Sequence, residues 1–240
     1  MKKTFTEIHL HTKETSRCSW VSAELSVPMF KDYGYECLVV TDHYNADYFT
    51  EYYNGELSYE DALNKWLLGY ETAKRIGDDI GITVLLGAEI RFDGCNDYLV
   101  YGLSKELLLK YPCLWELGVE KFSDFAREHH LFFAQAHPFR DKMTRCNPLL
   151  LDGCEVFNAH PYHDSRNIYA GIFASDNNLI PICGSDYHYK EGLCGCGINF
   201  YGEVKTVFDI RDKLFSREYD LVIPSSYTTR QKPEKYKRKK

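Results

Sequence analysis

Two histidines near the N-terminus have the spacing of metal ligands. His9 and His11 lie two residues apart in an apolar run over residues 5–11. Because side chains alternate in direction along a β-strand, both imidazoles would point to the same face of a sheet. An isolated H-x-H pair is more often a partly exposed pair of histidines, so its meaning depends on what accompanies it.

Four further apolar runs also end in residues that can bind a metal ion. They contribute Asp42 with His43, Glu89, His137, and Asp186 with His188. In a parallel β/α barrel the C-terminal ends of the strands meet at one rim, where active sites form. A hydrogen-bonded histidine or a helix-capping carboxylate would account for any one of these residues. Five runs with the same kind of ending favour a shared metal site.

These motifs resemble those of the polymerase-and-histidinol-phosphatase (PHP) superfamily of metal-dependent phosphoesterases. Between residues 7 and 188 the chain reads H-L-H-T, V-V-T-D-H, G-A-E, A-H-P and G-S-D-Y-H, in the family's order. Residues 155–158 (EVFN) and 165–167 (SRN) are also similar to the family. The resemblance implies an α/β protein with a distorted (β/α)7 barrel, and a metal site at the C-terminal rim of its strands. The chain resembles the small stand-alone members, which have no attached polymerase domain.

The resemblance also implies a role for each candidate ligand. It assigns His9, His11, Glu89 and Asp186 to a first metal ion, Glu89 and His137 to a second, and His43 and His188 to a third. The family usually has a ligand five or six residues after H-x-H, where this chain has Ser16 and Arg17. A histidine that many members carry on the strand after Glu89 is also absent, and Glu14 or Asp97 is a candidate substitute. We therefore expect two strongly bound divalent ions (Zn, Mn or Fe) and a third that is weak or absent.

Two such ions favour phosphate-ester hydrolysis by attack of a metal-bound hydroxide. His43 or His188, if free of a third ion, could donate a proton to the leaving group. Three arginines are candidates for a phosphate clamp, because a guanidinium pairs bidentately with phosphate oxygens; they are Arg17, Arg140 and Arg166. An ordinary surface salt bridge is the alternative for each, and Arg17 could instead replace the charge of the third ion. His160 and His163 match no ligand position and are expected to be loop histidines.

The same apolar runs predict the strands of the fold. They cover residues 5–11, 37–43, 83–92, 97–103, 131–137, 154–159 and 180–186, and helices are predicted over 22–33, 58–77, 119–130, 165–176 and 204–217. Ser58 and Asp61 form a capping box at the start of the second helix. The alternation of strands and helices favours a parallel sheet with crossover helices. Residues 44–57 have no clean periodicity and are predicted to be a tyrosine-rich loop.

Composition limits the classes of function. The chain has 240 residues and a net charge of −6, but residues 230–240 alone carry seven Lys or Arg and one Glu, which leaves −12 on the body. An acidic body argues against a groove that follows long nucleic acid. We predict one hydrolase domain over residues 1–229 and a basic, disordered tail over 230–240. No run is apolar enough for a bilayer or a signal peptide, and the nine scattered cysteines are predicted to be reduced, so a cytoplasmic location is expected.

Three functions remain open at this point. The first is a phosphomonoesterase that acts on a small phosphorylated metabolite, with histidinol phosphate as one candidate. The second is a nuclease or phosphodiesterase that acts on nucleotide or oligonucleotide ends, which the basic tail mildly favours. The third is a binding module that retains metal but is catalytically silent, which the two missing ligands would explain.

Overall fold

One mixed sheet forms the frame of the protein. The computed structural model describes residues 2–53, 57–92 and 94–224. The strands are β1 (Lys3–Leu10), β2 (Cys37–Val40), β3 (His43–Tyr44), β4 (Thr83–Arg91), β5 (Asp97–Tyr101), β6 (Phe132–Gln135), β7 (Gly153–Asn158), β8 (Ile180–Gly184), β9 (Gly197–Tyr201) and β10 (Tyr219–Val222). Their order in the sheet is β10-β9-β1-β2-β4-β5-β6-β7-β8, and β3 pairs with β4. All seven predicted runs form strands, with residues 37–43 divided between β2 and β3.

The sheet curves until its far end returns to β1. Leu10, at the end of β1, forms a parallel bridge with Tyr187, which follows β8. The amide of His11 donates to the Tyr187 carbonyl (3.1 Å), and the amide of Tyr187 donates to the His9 carbonyl (3.2 Å). The sheet is therefore a nearly closed barrel, which confirms the α/β barrel implied by the sequence motifs.

Not all strand pairs are parallel. Strand β5 is antiparallel to both β4 and β6, and the two strands that the sequence did not predict, β9 and β10, are antiparallel to their neighbours. Only residues 92–96 connect β4 to β5, whereas a parallel crossover needs a dozen or more residues. The start of β5, rather than its end, therefore lies at the rim, and Asp97 lies there with it.

Buried side chains cover both faces of β2. Leu38 and Val40 pack in a cluster with Phe30 of the preceding helix, whereas Cys37 and Val39 pack in a different cluster with other strands. A strand that is buried on both faces has no polar alternation. This accounts for the unbroken apolar run of residues 37–40.

Eight α-helices are present in the described part of the chain. They are α1 (Ala23–Tyr33), α2 (Ala46–Tyr53), α3 (Tyr59–Trp66), α4 (Leu68–Ile80), α5 (Lys105–Lys110), α6 (Gly118–Glu128), α7 (Asn167–Asp176) and α8 (Val207–Ser216). The predictions over 22–33, 119–130, 165–176 and 204–217 are confirmed to within a few residues. None of these described helices has the length and apolar character needed to cross a membrane.

The single helix predicted over residues 58–77 is two helices. Ser58 caps α3 as expected, because its side chain accepts a hydrogen bond from the Asp61 amide. The helix is interrupted at Leu67, where the Thr15 hydroxyl donates to the Trp66 carbonyl (2.9 Å) and accepts from the Gly69 amide (3.1 Å). A side chain from a distant loop thus replaces a step of the helical hydrogen-bond ladder. The second helix continues past Gly77 to Ile80.

The loop predicted over residues 44–57 was also wrong in part. Residues 46–53 form α2, and the Asn45 side chain accepts a hydrogen bond from the Tyr48 amide (2.9 Å) in the manner of an N-cap. Tyr44 and Phe49 pack against the Trp115 ring at centroid distances of 4.9 and 4.4 Å. Residues 54–56 lie outside the described part of the chain.

Candidate metal centre

Glu89 lies at the centre of four histidines at the rim of the barrel. Its Oε1 atom is 3.3 Å from His9 Nε2 and 3.1 Å from His137 Nε2. Its Oε2 atom is 3.4 Å from His11 Nε2 and 2.8 Å from His43 Nδ1. Each oxygen of one carboxylate therefore faces two imidazoles, an arrangement that suits a carboxylate shared between two cations.

Asp186 completes the cluster from the other side. Its Oδ1 atom is 3.4 Å from the Nε2 atoms of both His9 and His11, and 3.2 Å from His188 Nδ1. The ligand atoms form overlapping sets within which all distances are at most 4.8 Å; two of these sets are His9, His11 and Glu89, and His9, His137 and Asp186. The structure thus brings together all seven residues predicted as metal ligands.

Strand ends and unusual backbone angles position these side chains. The H-x-H pair lies at the end of β1, and His43 is paired in register with Glu89 between β3 and β4. His137 follows β6 with φ of 29°, and Asp186 follows β8 with φ of 51°. Left-handed backbone is uncommon for residues other than glycine, and such strain concentrates at functional sites.

The charges of the cluster keep its two central carboxylates ionised. Burial alone would raise the pKa of Glu89, but the charges of His43 and His9 hold that pKa well below its ordinary range. Burial also opposes ionisation of Asp186, whereas Arg140 and His9 hold its pKa well below the usual value. Both carboxylates are almost fully buried. Buried anions of this kind are strong attractors for a divalent cation.

The two histidines of the H-x-H motif present unsatisfied nitrogens to these carboxylates. The Nε2 atoms of His9 and His11 are buried and have no hydrogen-bond partner among the described residues. Leaving a buried polar atom unpaired costs about 1–3 kcal/mol, and a cation bound by both lone pairs would remove this cost. Imidazole nitrogens with carboxylate oxygens suit Zn, Mn or Fe ions. The residues present therefore fit a divalent metal ion.

Glu155 orients one of these histidines and was not selected as a site residue from the sequence. Its Oε1 atom is 2.8 Å from His9 Nδ1, and its Oε2 atom accepts hydrogen bonds from the His137 amide (3.0 Å) and from Asn158 Nδ2 (3.0 Å). Because a carboxylate accepts and does not donate, His9 Nδ1 carries a proton, which leaves Nε2 as the nitrogen available to a cation. The sequence signal for Glu155 was a charged residue inside the apolar run over residues 154–159.

Cys18 is a second residue of the rim that the sequence analysis did not select. Its Sγ atom is 3.0 Å from His188 Nε2. Burial alone would raise the pKa of this thiol, but hydrogen bonds with His188 and His43 outweigh it and lower the pKa to about 6. Its only signal in the sequence is its place directly after Arg17, one residue beyond the position where a ligand was expected.

The three candidate arginines occupy different surroundings. Arg140 lies at the centre, where its Nη2 atom donates to Asp186 Oδ2 (2.5 Å) and to Asn158 Oδ1 (2.9 Å). Arg17 is exposed and lines a smaller neighbouring cavity of about 190 Å³ rather than the main one. The structure does not bring Arg166 into the cavity, because its guanidinium donates to the Phe139 carbonyl (2.7 Å) and pairs with Asp141. Arg166 therefore has the surface ion pair that was the alternative to a phosphate clamp.

The two proposed substitute ligands are already engaged. Both carboxylate oxygens of Glu14 accept a hydrogen bond from the Ala23 amide at the start of α1, at 2.9 and 3.1 Å. Asp97 forms two hydrogen bonds with Arg91, at 2.6 and 3.0 Å, although one of its oxygens lies within 4.8 Å of ligand atoms of His43 and Glu89. Glu14 is therefore a helix cap, and Asp97 remains at the edge of the cluster.

A cavity of about 290 Å³ opens over the cluster. Its walls include His43, Glu89, His137, Arg140, Asp186 and His188. His160 and His163, expected as loop histidines, also line this cavity. Burial lowers the pKa of His160 to about 3, so this imidazole is neutral, and its Nδ1 atom accepts a hydrogen bond from the Tyr162 amide (3.2 Å).

Solved structures with this fold include proteins described as metal-dependent phosphoesterases. The chain matches a two-domain protein from Bacteroides vulgatus that contains a predicted PHP-like metal-dependent phosphoesterase, with a TM-score of 0.66 and 17% identity; the match covers 93% of this chain and 65% of the other. It matches PsfC from Pseudomonas syringae with a TM-score of 0.65 and 18% identity over 95% of each chain. A putative metal-dependent phosphoesterase from Bifidobacterium adolescentis matches with a TM-score of 0.51 and 15% identity, over 90% of this chain and 97% of the other.

Sequence comparison adds no relative. No family model matches the chain, and no curated protein matches it. At these identities the structural matches establish the fold. The chain therefore has the barrel fold of the predicted PHP-like metal-dependent phosphoesterases, as its motifs implied.

Proposed function

We propose that the protein is a metal-dependent phosphoesterase that hydrolyses a small phosphorylated metabolite, as a histidinol-phosphatase-like phosphomonoesterase. The observation that carries the proposal is the position of Glu89, with two imidazoles on each carboxylate oxygen, in a cavity that also contains Arg140. The phosphoesterase descriptions of two structural neighbours support the same reaction.

The ligand atoms suit two divalent ions. His9, His11, Glu89 and Asp186 would hold the first ion, and Glu89 with His137 would hold the second. When bound, such a pair lowers the pKa of a water molecule, orients it and offsets the negative charge of the phosphoryl group. Zn, Mn and Fe all suit this donor set.

Arg140 supplies the positive charge that positions the phosphate. Its Nη2 atom is held by Asp186 and Asn158, and its Nε atom is buried without a hydrogen-bond partner among the described residues. Burial opposes its charge, but Asp186 raises its pKa above the ordinary value, so the guanidinium remains a cation. The guanidinium, which lines the cavity, is therefore a fixed positive charge for a phosphate group.

The size of the cavity favours a small substrate. Its volume of about 290 Å³ is near the lower end of small-molecule pockets, which span roughly 300–1,000 Å³. The acidic body also disfavours a polynucleotide, and the basic tail that would favour one lies outside the described residues. The scattered positions of the nine cysteines in the sequence also suit a reducing compartment such as the cytoplasm.

Metal analysis followed by a substrate panel tests the proposal. The protein is purified without chelator, its metal content is measured, and it is offered p-nitrophenyl phosphate, the bis ester, histidinol phosphate, nucleoside monophosphates and short oligonucleotides. We expect bound divalent metal and the highest kcat/KM on a monoester. Preference for the bis ester or oligonucleotides would support a phosphodiesterase or nuclease. Bound metal without any hydrolysis would support a silent binding module.

Replacing Glu89 with glutamine tests the metal centre itself. Glu89→Gln removes one negative charge from between the proposed cations, so metal content and turnover should both fall. Glu120→Gln, at an exposed position of α6, is the matched control and should leave both unchanged. Wild-type metal content and activity in Glu89→Gln would refute the assignment.

A further inference from the structure

The outer face of helix α7 is apolar and uncovered in the described part of the chain. It consists of Ile168, Tyr169 and Ile172, whose side chains are 74%, 55% and 52% exposed. The opposite face packs on the barrel through Ala170 and Ala174, which are almost fully buried. A helix that is apolar on both faces is typical of a position that is buried on both sides.

Two other surface helices, α4 and α6, have charged outer faces. The exposed positions of α6 are Glu120, Lys121, Asp124, Arg127 and Glu128, and those of α4 include Glu71, Lys74, Arg75, Asp78 and Asp79. In α7 the only charged residue is Asp176, the last residue of the helix. Single exposed apolar side chains are ordinary, whereas neighbouring ones that form a patch mark an interaction site. The outer face of α7 is therefore a candidate interface.

The segment that connects β6 to β7 packs beside this helix. The ring of Phe139 lies 5.9 Å from that of Tyr169 and 6.1 Å from that of Phe173. Leu149, in the same segment, is 80% exposed, the largest value among the large apolar side chains of the described residues. A stable interface covers about 800 Å² on each partner. Because α7 alone is smaller than this, the interface would extend onto the connecting segment.

The charges at the two ends of α7 suit a second copy of the same helix that runs in the opposite direction. Arg166 is at the N-cap, and Asp176 is the last residue. Each lies five positions from Gly171, or about 7.5 Å along the helix axis. Around a two-fold axis near Gly171, Arg166 of one copy would therefore meet Asp176 of the other. A Cβ at Gly171 would meet nothing within 4 Å, so this position is open to such a contact.

The antiparallel arrangement also places Asp176 where its charge is favourable. A carboxylate at the C-terminus of a helix lies at the negative end of the helix dipole, and α7 has no basic residue in its last turn. In an antiparallel pair, Asp176 would lie beside the positive N-terminal end of the neighbouring α7. Arg166 also pairs with Asp141, but its side chain is 41% exposed, and a guanidinium has five N–H donors.

We infer that a second copy of this chain covers the outer face of α7, with the two helices antiparallel across a two-fold axis near Gly171. Such a contact uses the same patch on both subunits and closes as a dimer. The basic tail over residues 230–240 is a poorer occupant, because its seven Lys or Arg would meet a single carboxylate on α7. The inference concerns assembly and does not rest on the proposed phosphoesterase activity.

The mass of the protein in solution tests the pairing. Sedimentation equilibrium over a wide range of concentrations should give twice the mass of one chain, with reversible dissociation on dilution. Ile172→Lys places two like charges near the axis and should raise the Kd of the dimer about 100-fold. Leu25→Lys, at a side chain of α1 that is also 52% exposed, is the matched control and should leave the Kd unchanged.

An exchange of charges tests the antiparallel direction. Asp176→Lys should raise the Kd about tenfold, because two symmetric ion pairs become repulsions. The same lysine suits the C-terminal end of the helix dipole, so the Tm of the monomer should not fall. The double variant Arg166→Glu, Asp176→Lys should recover most of the affinity. Arg166→Glu alone also repels Asp141 of its own copy, so the recovery in the double variant is the diagnostic result.

Three results would overturn the inference. The first is a wild-type protein that is monomeric at every concentration, and the second is a dimer whose Kd is unchanged by Ile172→Lys. The third is a monomer that dimerises only after deletion of residues 230–240, which would show that the tail covers this face. Failure of the double variant to recover affinity would overturn the antiparallel arrangement.

Discussion

Glu155 determines which nitrogen of His9 faces the candidate metal centre. Its Oε1 atom accepts a hydrogen bond from His9 Nδ1 (2.8 Å), while Oε2 accepts from the His137 amide and from Asn158 Nδ2, each at 3.0 Å. The variant Glu155→Gln has one oxygen for these three donors. Whichever way the amide is turned, its NH2 group faces a donor, so either His9 or the pair on Oε2 loses its acceptor.

The size of the effect follows from these contacts. A hydrogen bond to a charged group contributes about 1.5–3 kcal/mol, and 1.4 kcal/mol corresponds to about a tenfold change in an equilibrium constant. If the amide nitrogen faces His9, the proton is driven to Nε2, and that nitrogen can no longer bind a cation. We therefore expect Glu155→Gln to weaken metal binding by about 10- to 100-fold, the usual range for groups that orient metal ligands.

Competition with a fluorescent zinc chelator measures this change directly. The matched control is Glu7→Gln, because Glu7 is also fully buried but its Oε1 accepts the backbone amides of His9 (2.8 Å) and Ser185 (3.1 Å). An amide oxygen can retain both contacts, so this control should lose little zinc affinity. Unchanged zinc affinity in a folded Glu155→Gln protein would refute the tautomer argument. Equal losses of zinc affinity in both variants would show that each buried carboxylate affects zinc binding only by stabilising the fold.

Three further predictions concern the fold and the tail. A Cβ at Gly69 would lie 1.9 Å from Thr12 Oγ1, whereas one at Gly171 meets nothing within 4 Å; Gly69→Ala should therefore cost about 1–3 kcal/mol in urea unfolding, and Gly171→Ala should gain up to about 1 kcal/mol. Burial raises the pKa of the Asp152 carboxyl above its ordinary value of 3.8, so the folded state keeps a proton that the unfolded chain releases. The free energy of unfolding therefore falls as pH rises from 3.8 to the pKa of the folded state. Asp152→Asn should be more stable than wild type at pH 7 and lose that advantage near pH 3 in the same assay. Deletion of residues 230–240 should leave kcat/KM on a phosphomonoester unchanged, and a loss confined to oligonucleotides would instead support a role in nucleic-acid binding.

The convergence of the candidate ligands was accessible from the sequence because it depends on local rules. Alternation along a strand places His9 and His11 on one face, and apolar runs show where strands end. Once those ends share a rim, Glu89, His137 and Asp186 must lie close together. The neighbourhood of the site could therefore be predicted without knowledge of any side-chain contact, whereas the barrel itself was implied by the resemblance of the motifs to a known family.

The features that the sequence did not reveal depend on contacts between distant segments. The interruption between α3 and α4 comes from Thr15, about fifty positions away from the helix that it interrupts. The reversed direction of β5 follows from a short connection, which the presence of a strand alone does not indicate. Cys18 lies one position beyond the spacing expected for a ligand, and only the fold of its loop brings Sγ to His188.

Ser16 shows how such a distant contact prepares a ligand. Its hydroxyl donates to Asp42 Oδ1 at 2.6 Å, so its oxygen can only accept from the His43 amide (3.1 Å) and from His11 Nδ1 (3.3 Å). Burial raises the pKa of Asp42 to about 6, and at neutral pH its ionised carboxylate holds the serine proton. Nδ1 of His11 must then carry the ring proton, which leaves the Nε2 lone pair directed at Glu89 and Asp186. Ser16 is not itself a metal ligand. It fixes the ring proton of His11 on Nδ1, as Glu155 does for His9, so Nε2 of both imidazoles of the H-x-H pair is the nitrogen left to bind a cation.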